Sequence, residues 1–358
     1  MPAAIGYRDF LRDSAIAGSV VVADSSPTGS SNASYPVSNV LDDRRNTVWA
    51  RENCPSRFGS PTSCAQLDIT FTANNTQDTT AANDSLPVGL LHLDNVNVFY
   101  QTNTGRRLQD FAVVVTVDHT TLGSSGIYNS GTLLYFHNQD MSAPGASIVV
   151  PIGFDTTVFP PGAPGSAAEY DRRGREAIGG AAGQSSRNFK IRVQIFNVDN
   201  NATAAAFTVR VGSVRVMSAL CFDTSDAGFT VSAVDNSTIV RTNGQAAVAN
   251  SRTPMFRFSG QMVNLSDEKV FRPSNSICAL NKSAGISKRV VFIPSVWADE
   301  DAACWTGFKS QMLGFLALLE QPIAATTVGR VVGGEAFLDA SPNGFAWTAP
   351  FSLLEVVD

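Results

Sequence analysis

A period of two is the feature that most restricts this chain. Residues 189–196 put Phe189, Ile191, Val193 and Ile195 on one face and Lys190, Arg192 and Gln194 on the other. A half-buried strand needs that alternation, and a helix would scatter it. Ala65–Phe71 repeats the pattern, with Leu67, Ile69 and Phe71 on the apolar face. Further short β-branched runs lie at residues 19–23, 96–100, 111–117, 132–136, 147–150, 207–211 and 214–216. Many short strands joined by polar turns predict an antiparallel β-sandwich.

Two insertions interrupt these runs. Residues 73–87 are rich in Asn, Thr, Asp and Ala, and residues 160–187 carry Pro160, Pro161, Pro164 and many Gly and Ala. Neither can bury a core of its own. The longer one is expected to reach a neighbouring subunit or to stay mobile.

The pattern changes after Val216, and the reading divides the chain into residues 1–220 and 221–358. In the second part residues 255–262 alternate as a strand. Ser266 is placed to cap a helix start, and Pro273 would interrupt any longer helix. A short helix is expected over residues 277–284, stopped by Gly285. Residues 289–294 read as a buried strand ended by Pro294, and 345–347 and 351–356 as closing strands. Residues 302–319 fit a helical face through Trp305, Phe308, Met312, Phe315, Leu316 and Leu319. Gly307 and Gly314 weaken that helix, and the second half also reads as a strand.

Composition bears on partners. Hydrophobic residues are 44% of the chain, enough for real cores, but charged residues are only 16%. Ordinary soluble proteins carry roughly 25%. The shortfall points to surface that faces copies of the chain or a partner, the plainer alternative being a surface of Ser, Thr, Asn and Gly. The net charge is −5 and basic residues never run beyond a pair such as Arg44-Arg45 or Arg172-Arg173. Nucleic-acid binding is not expected. No apolar window is long enough for a membrane span, and residues 1–19 do not read as a secretory signal peptide.

The residues give no catalytic, metal or cofactor pattern. His92, His119 and His137 lack ligand spacing. There is no Gly-x-Ser-x-Gly, and Gly179-Gly180-Ala181-Ala182-Gly183 lacks the strand and the Lys of a phosphate cradle. Asp299-Glu300-Asp301 reads as a solvated face or helix start rather than a pair of working carboxylates. Asp42 and Asp43 carry oxygens suited to calcium, but a capping and turn role is the simpler one. Cys54, Cys64, Cys221, Cys278 and Cys304 form no disulfide framework. Only Cys54 and Cys64 are near enough in sequence to pair, and then only under oxidising conditions. The chain is therefore expected not to be an enzyme.

One local motif stands out. Tyr35-Pro36-Val37-Ser38-Asn39-Val40-Leu41-Asp42, followed by Trp49, reads as a turn, a helical hook and an aromatic plug. Pro36 fixes φ, and Asn39 and Asp42 can bond back to nearby backbone. The structural motif residues are Tyr35, Pro36, Asn39, Leu41, Asp42 and Trp49, with Trp49 a core plug rather than a stacking platform. The motif resembles the entry of discoidin-like, galactose-binding-like β-sandwiches of jelly-roll type.

A second resemblance covers Gly212-Ser213-Val214-Arg215-Val216, Phe222-Asp223, Gly228-Phe229, Val234-Asp235, Arg241-Thr242-Asn243-Gly244-Gln245, Phe256-Arg257-Phe258, Leu265-Ser266-Asp267-Glu268 and Val291-Phe292-Ile293-Pro294. In this order they resemble tail structural proteins of long-tailed bacteriophages, of the distal-tail or tail-tip type. The resemblance implies a sandwich followed by a small β-barrel-like domain with one or two short helices. It also implies a virion protein, made in the bacterial cytoplasm, that joins the tail tube to the host-recognition apparatus. Its partners would be copies of itself in a threefold or sixfold ring and other tail proteins. Phe256 and Phe258 mark the candidate assembly strand. The alternative is a carbohydrate-binding module that attaches to host surface glycans.

Overall fold

The computed structural model describes residues 2–13, 20–44, 46–54, 65–71, 89–102, 105–108, 110–119, 128–130, 132–135, 145–151, 189–197, 206–235, 237–241, 247–250, 254–271, 276–294, 308–309, 314–330 and 345–356. The insertions at 73–87 and 160–187 lie outside these residues, as do Cys64, His137, Pro273, the 299–301 acidic cluster and Trp305.

In chain order the strands are β1 (Pro2–Asp9), β2 (Val20–Asp24), β3 (Ser30–Ser31), β4 (Trp49–Cys54), β5 (Ala65–Phe71) and β6 (Leu90–Thr102). Next come β7 (Gly105–Leu108), β8 (Phe111–His119), β9 (Tyr128–Asn129), β10 (Thr132–Tyr135), β11 (Ala146–Pro151) and β12 (Phe189–Asn197). β13 (Phe207–Val211), β14 (Ser213–Val234), β15 (Thr238–Arg241), β16 (Ala247–Asn250) and β17 (Met255–Leu265) follow. Helices α1 (Asp267–Phe271) and α2 (Ile277–Ser283) precede β18 (Val290–Ile293), β19 (Phe308–Lys309), β20 (Phe315–Leu319), β21 (Thr326–Arg330) and β22 (Phe345–Glu355). The described chain is thus mainly β. It divides into two compact units.

One unit holds Asp9–Ala219 and Val296–Gly314. Its first sheet runs β19-β10-β8-β12-β5-β2, with β9 beside β8. Its second runs from the start of β14 through β6, β13 and β4 to β3, with β11 and β7 also on β6. The ladders are antiparallel except for the two-residue pairing of β10 with β19. In the first sheet β12 is central, with Val193 opposite Leu67 on one side and Val115 on the other. That register gathers Leu67, Val115 and Val193 into the same core as Leu91, Leu93 and Val209 of the second sheet. Two antiparallel sheets closing on one apolar core is the arrangement of a β-sandwich, as the alternation predicts.

Bulges keep the alternation in step with the core. In β6, Leu91 and Leu93 face inward, and so do Val96 and Val98, one residue out of phase. The slip falls at Asn95, whose φ is 54°, opposite an irregularity in the β6–β11 ladder. Asn53 does the same in β4, between the buried Trp49 and Cys54. Asn tolerates left-handed backbone better than most residues, and an extra residue in one strand reverses the facing of those that follow.

The other unit holds Met1–Arg8, Leu220–Ser295 and Phe315–Asp358. Its strands run β1-β18-β20-β22-β17-β14, with β21 beside β22 and a further pairing of β1 with β14. β15 and β16 form a separate two-stranded sheet. The sheet curls strongly: Phe229 on β14 meets Phe292 on β18 edge to face, centroids 5.5 Å apart. Gly260 allows this closeness, since a Cβ there would lie 2.9 Å from the Phe229 Cβ and 3.0 Å from the Phe351 ring. Of the small barrel expected from the sequence, the described residues show this curled antiparallel sheet, not a regular closed barrel. Register shifts between Thr224 and Phe229 and between Met262 and Leu265 interrupt its ladders.

Both helices start on a serine. Ser276 accepts the Ala279 N–H at 3.1 Å, and Ser266 accepts the Lys269 N–H at 3.4 Å. Gly285, at φ 52°, lies just past α2 and donates its N–H to the Asn281 carbonyl, an ordinary helix stop. Residues 315–319 are strand rather than helix.

Candidate functional site

The hook is built from its own sequence outward. Pro36, with φ −67° and ψ 160°, leads into a 3-10 turn at Val37–Leu41. The Asn39 side chain donates to the Val48 carbonyl at 2.9 Å and so ties the turn to the approach of β4. Asp42 Oδ1 accepts the Arg44 N–H at 2.9 Å, and its other oxygen takes the Thr47 hydroxyl. Val40 is fully buried and Leu41 packs partly against the core. Trp49 is 1% exposed, with its indole N–H directed to Asp24 Oδ2 at 3.3 Å. Tyr35 packs against the Arg210 guanidinium, which also lies over Phe99, each 5.1 Å from the ring centroid. The structure thus brings Tyr35, Pro36, Asn39, Leu41, Asp42 and Trp49 into one continuous element.

Two arginines that the sequence does not single out hold the hook down. Arg12 Nη2 and Nε donate to the carbonyls of Val40 and Leu41 at 2.9 and 3.1 Å. Its Nη1 bonds Asp9 and also the Val214 carbonyl at 2.9 Å. Arg215, only 2% exposed, pairs with Asp43 through Nη2. Asp43 also lies 3.8 Å from Arg12 and has φ 62°. Burial pushes the Asp9 carboxyl up, and the neighbouring Arg12 and Arg215 only partly offset this.

Arg215 also fixes the tautomer of a buried histidine. Its Nη1 is 3.2 Å from His92 Nδ1. A guanidinium only donates, so Nδ1 accepts and the ring proton sits on Nε2. That Nε2 lies 2.8 Å from Ser147 Oγ, and the Ser147 hydroxyl donates to the Gly314 carbonyl at 2.8 Å. The polarity is opposite to that of a nucleophilic serine. There, the histidine takes the hydroxyl proton while an acid supports its other nitrogen. Here a cation occupies the acid's place, so the chain Arg215–His92–Ser147–Gly314 is suited to holding strands together.

Both Asp42 oxygens meet hydrogen-bond donors and Asp43 meets guanidinium groups, so these carboxylates do not converge on a common point for a cation. Among the described residues no three of His, Cys, Asp and Glu gather as metal ligands. Cys54 is fully buried. No helix among the described residues is long and apolar enough to cross a membrane.

The candidate assembly strand divides sharply. β17 lies between β14 and β22, with its backbone paired on both sides. It therefore offers no free edge over most of its length. Phe258 is 2% exposed and belongs to the core, whereas Phe256 is 45% exposed. Beside Phe256 the sequential residues Thr230, Val231, Ser232 and Ala233 of β14 are all exposed, Val231 by 50%. Exposure on successive residues means that both faces of β14 meet solvent there.

No protein-family model matches the chain, and no curated protein matches it.

Proposed function

We propose that the chain is a non-enzymatic structural protein that acts by assembling with copies of itself. The specific reading is a distal-tail or tail-tip component of a long-tailed bacteriophage, resident in the virion. Its ring, threefold or sixfold, would join the tail tube to the host-recognition apparatus. The finer fold reading is a galactose-binding-like sandwich in the first unit and a barrel-like domain in the second. The hook geometry around Trp49 supports the former. The pairing of β1 with both β18 and β14 supports the latter.

The observation that carries the assembly reading is the ribbon formed by the end of β14 and the start of β17. Thr230 to Ala233, Met255 and Phe256 bear no charge, and Val231 and Phe256 are largely exposed. Ala233 and Val234 pair with Phe256 and Met255 beyond the last β22 partner, Arg257. Such a two-stranded end gains little from its own chain, and uncharged exposed apolar residues are a feature of contact surfaces. The low charge of the whole sequence agrees with it. The glycan-binding alternative draws less support, because Trp49 is interior and Tyr35 is packed on Arg210.

The test is the mass of the purified full chain by light scattering, with negative-stain imaging, for wild type and for Val231→Glu/Phe256→Glu. Discrete rings in the wild type that dissociate in the double variant, with folding intact by circular dichroism, are the expected result. A wild type that stays monomeric at every concentration, alone and with purified phage tail tubes, would sink the reading.

A further inference from the structure

We draw no further inference here: the strongest candidate, the outer edge of β2 with Val21 60% exposed, is a strand edge that pairs only with β5 among the described residues, and nothing in the structure shows what covers it.

Discussion

Phe258 on β17 and Phe292 on β18 pack with ring centroids 5.1 Å apart, although β22 and β20 lie between their strands. Adjacent strands are about 4.8 Å apart, so three steps across a flat sheet would separate such residues by roughly 14 Å. The curl that closes this gap also brings Phe315 to 4.8 Å from Phe258 and Phe351 to 5.7 Å from Phe292. Phe258 is thus a centre of the aromatic core, while Phe256, two residues away on the same face, sits at its wet end.

From this follows a contrast between neighbours. Phe258→Ala is expected to cost about 3–5 kcal/mol of stability, the range for deleting a buried phenylalanine. Phe256→Ala is expected to cost less than about 1 kcal/mol, as exposed positions do. Urea unfolding of both variants measures the difference. Equal losses would show that the burial gradient along β17 is wrong.

Arg215 and Asp43 make a second case. Arg215 is nearly inaccessible, and Asp43 is the carboxylate placed on its Nη2. Asp43→Ala strands a buried cation, and a loss of roughly 3 kcal/mol is expected, at the low end for buried pairs because Asp43 is partly exposed. Adding Arg215→Met removes the stranded charge, so the double variant should be no less stable than Asp43→Ala alone. A double-mutant cycle by chemical denaturation reads the coupling. Strict additivity would mean the two side chains act independently.

Two carboxylates should give opposite pH signatures. Burial opposes ionisation of Asp68, but the Arg192 hydrogen bond and the charges of Arg192 and Lys190 outweigh it and hold its carboxyl below the usual 3.8. Its stabilisation is therefore present above pH 3.8 and disappears as pH falls through the depressed folded value. For Asp9, burial raises the folded value above 3.8. The folded chain then binds the extra proton, so the Asp9 contribution is greatest below pH 3.8 and declines as pH rises through the raised value. Stability against Asp68→Asn and Asp9→Asn, measured by urea unfolding from pH 3 to 7, should shift with pH in opposite directions. Parallel shifts would contradict the assigned environments.

Much of the fold is legible locally. β13 follows the alternation residue for residue and β5 does so from Leu67 onward, and α2 lies between Ser276 and Gly285, as capping chemistry directs. β1 is not legible, because Pro2-Ala3-Ala4-Ile5-Gly6 has weak strand propensity. Its pairing with β18, Ala4 opposite Ile293, makes it a strand. Arg215 is also hidden from local reading. Val214-Arg215-Val216 predicts an outward, solvated arginine, and only the hook and His92 convert that outward face into a buried one. Residues 315–319 resolve an ambiguity between helix and strand through ladders with β18 and β22, which are remote in sequence.

The slips in alternation were the subtler signal, and Asn264 tests their meaning. β17 buries Phe258 and Met262, then Leu265, a change of phase. Asn264 sits at the change with φ 53°, where the β17–β22 ladder skips. Its side chain is exposed, so a substitution there disturbs backbone conformation more than packing. In a regular strand, Asn→Val would be favourable, since β-branched residues suit extended backbone. In left-handed backbone the sign reverses, because Cβ crowds the carbonyl at about 1–2 kcal/mol. Asn264→Val is therefore expected to lose about that much, and Asn264→Gly to stay within about 0.5 kcal/mol of wild type, because glycine adopts positive φ freely. Thermal and urea unfolding of the two variants decide it. A valine variant as stable as the glycine one would mean that β17 runs through Asn264 without a bulge, and that Leu265 reaches the core by some other route.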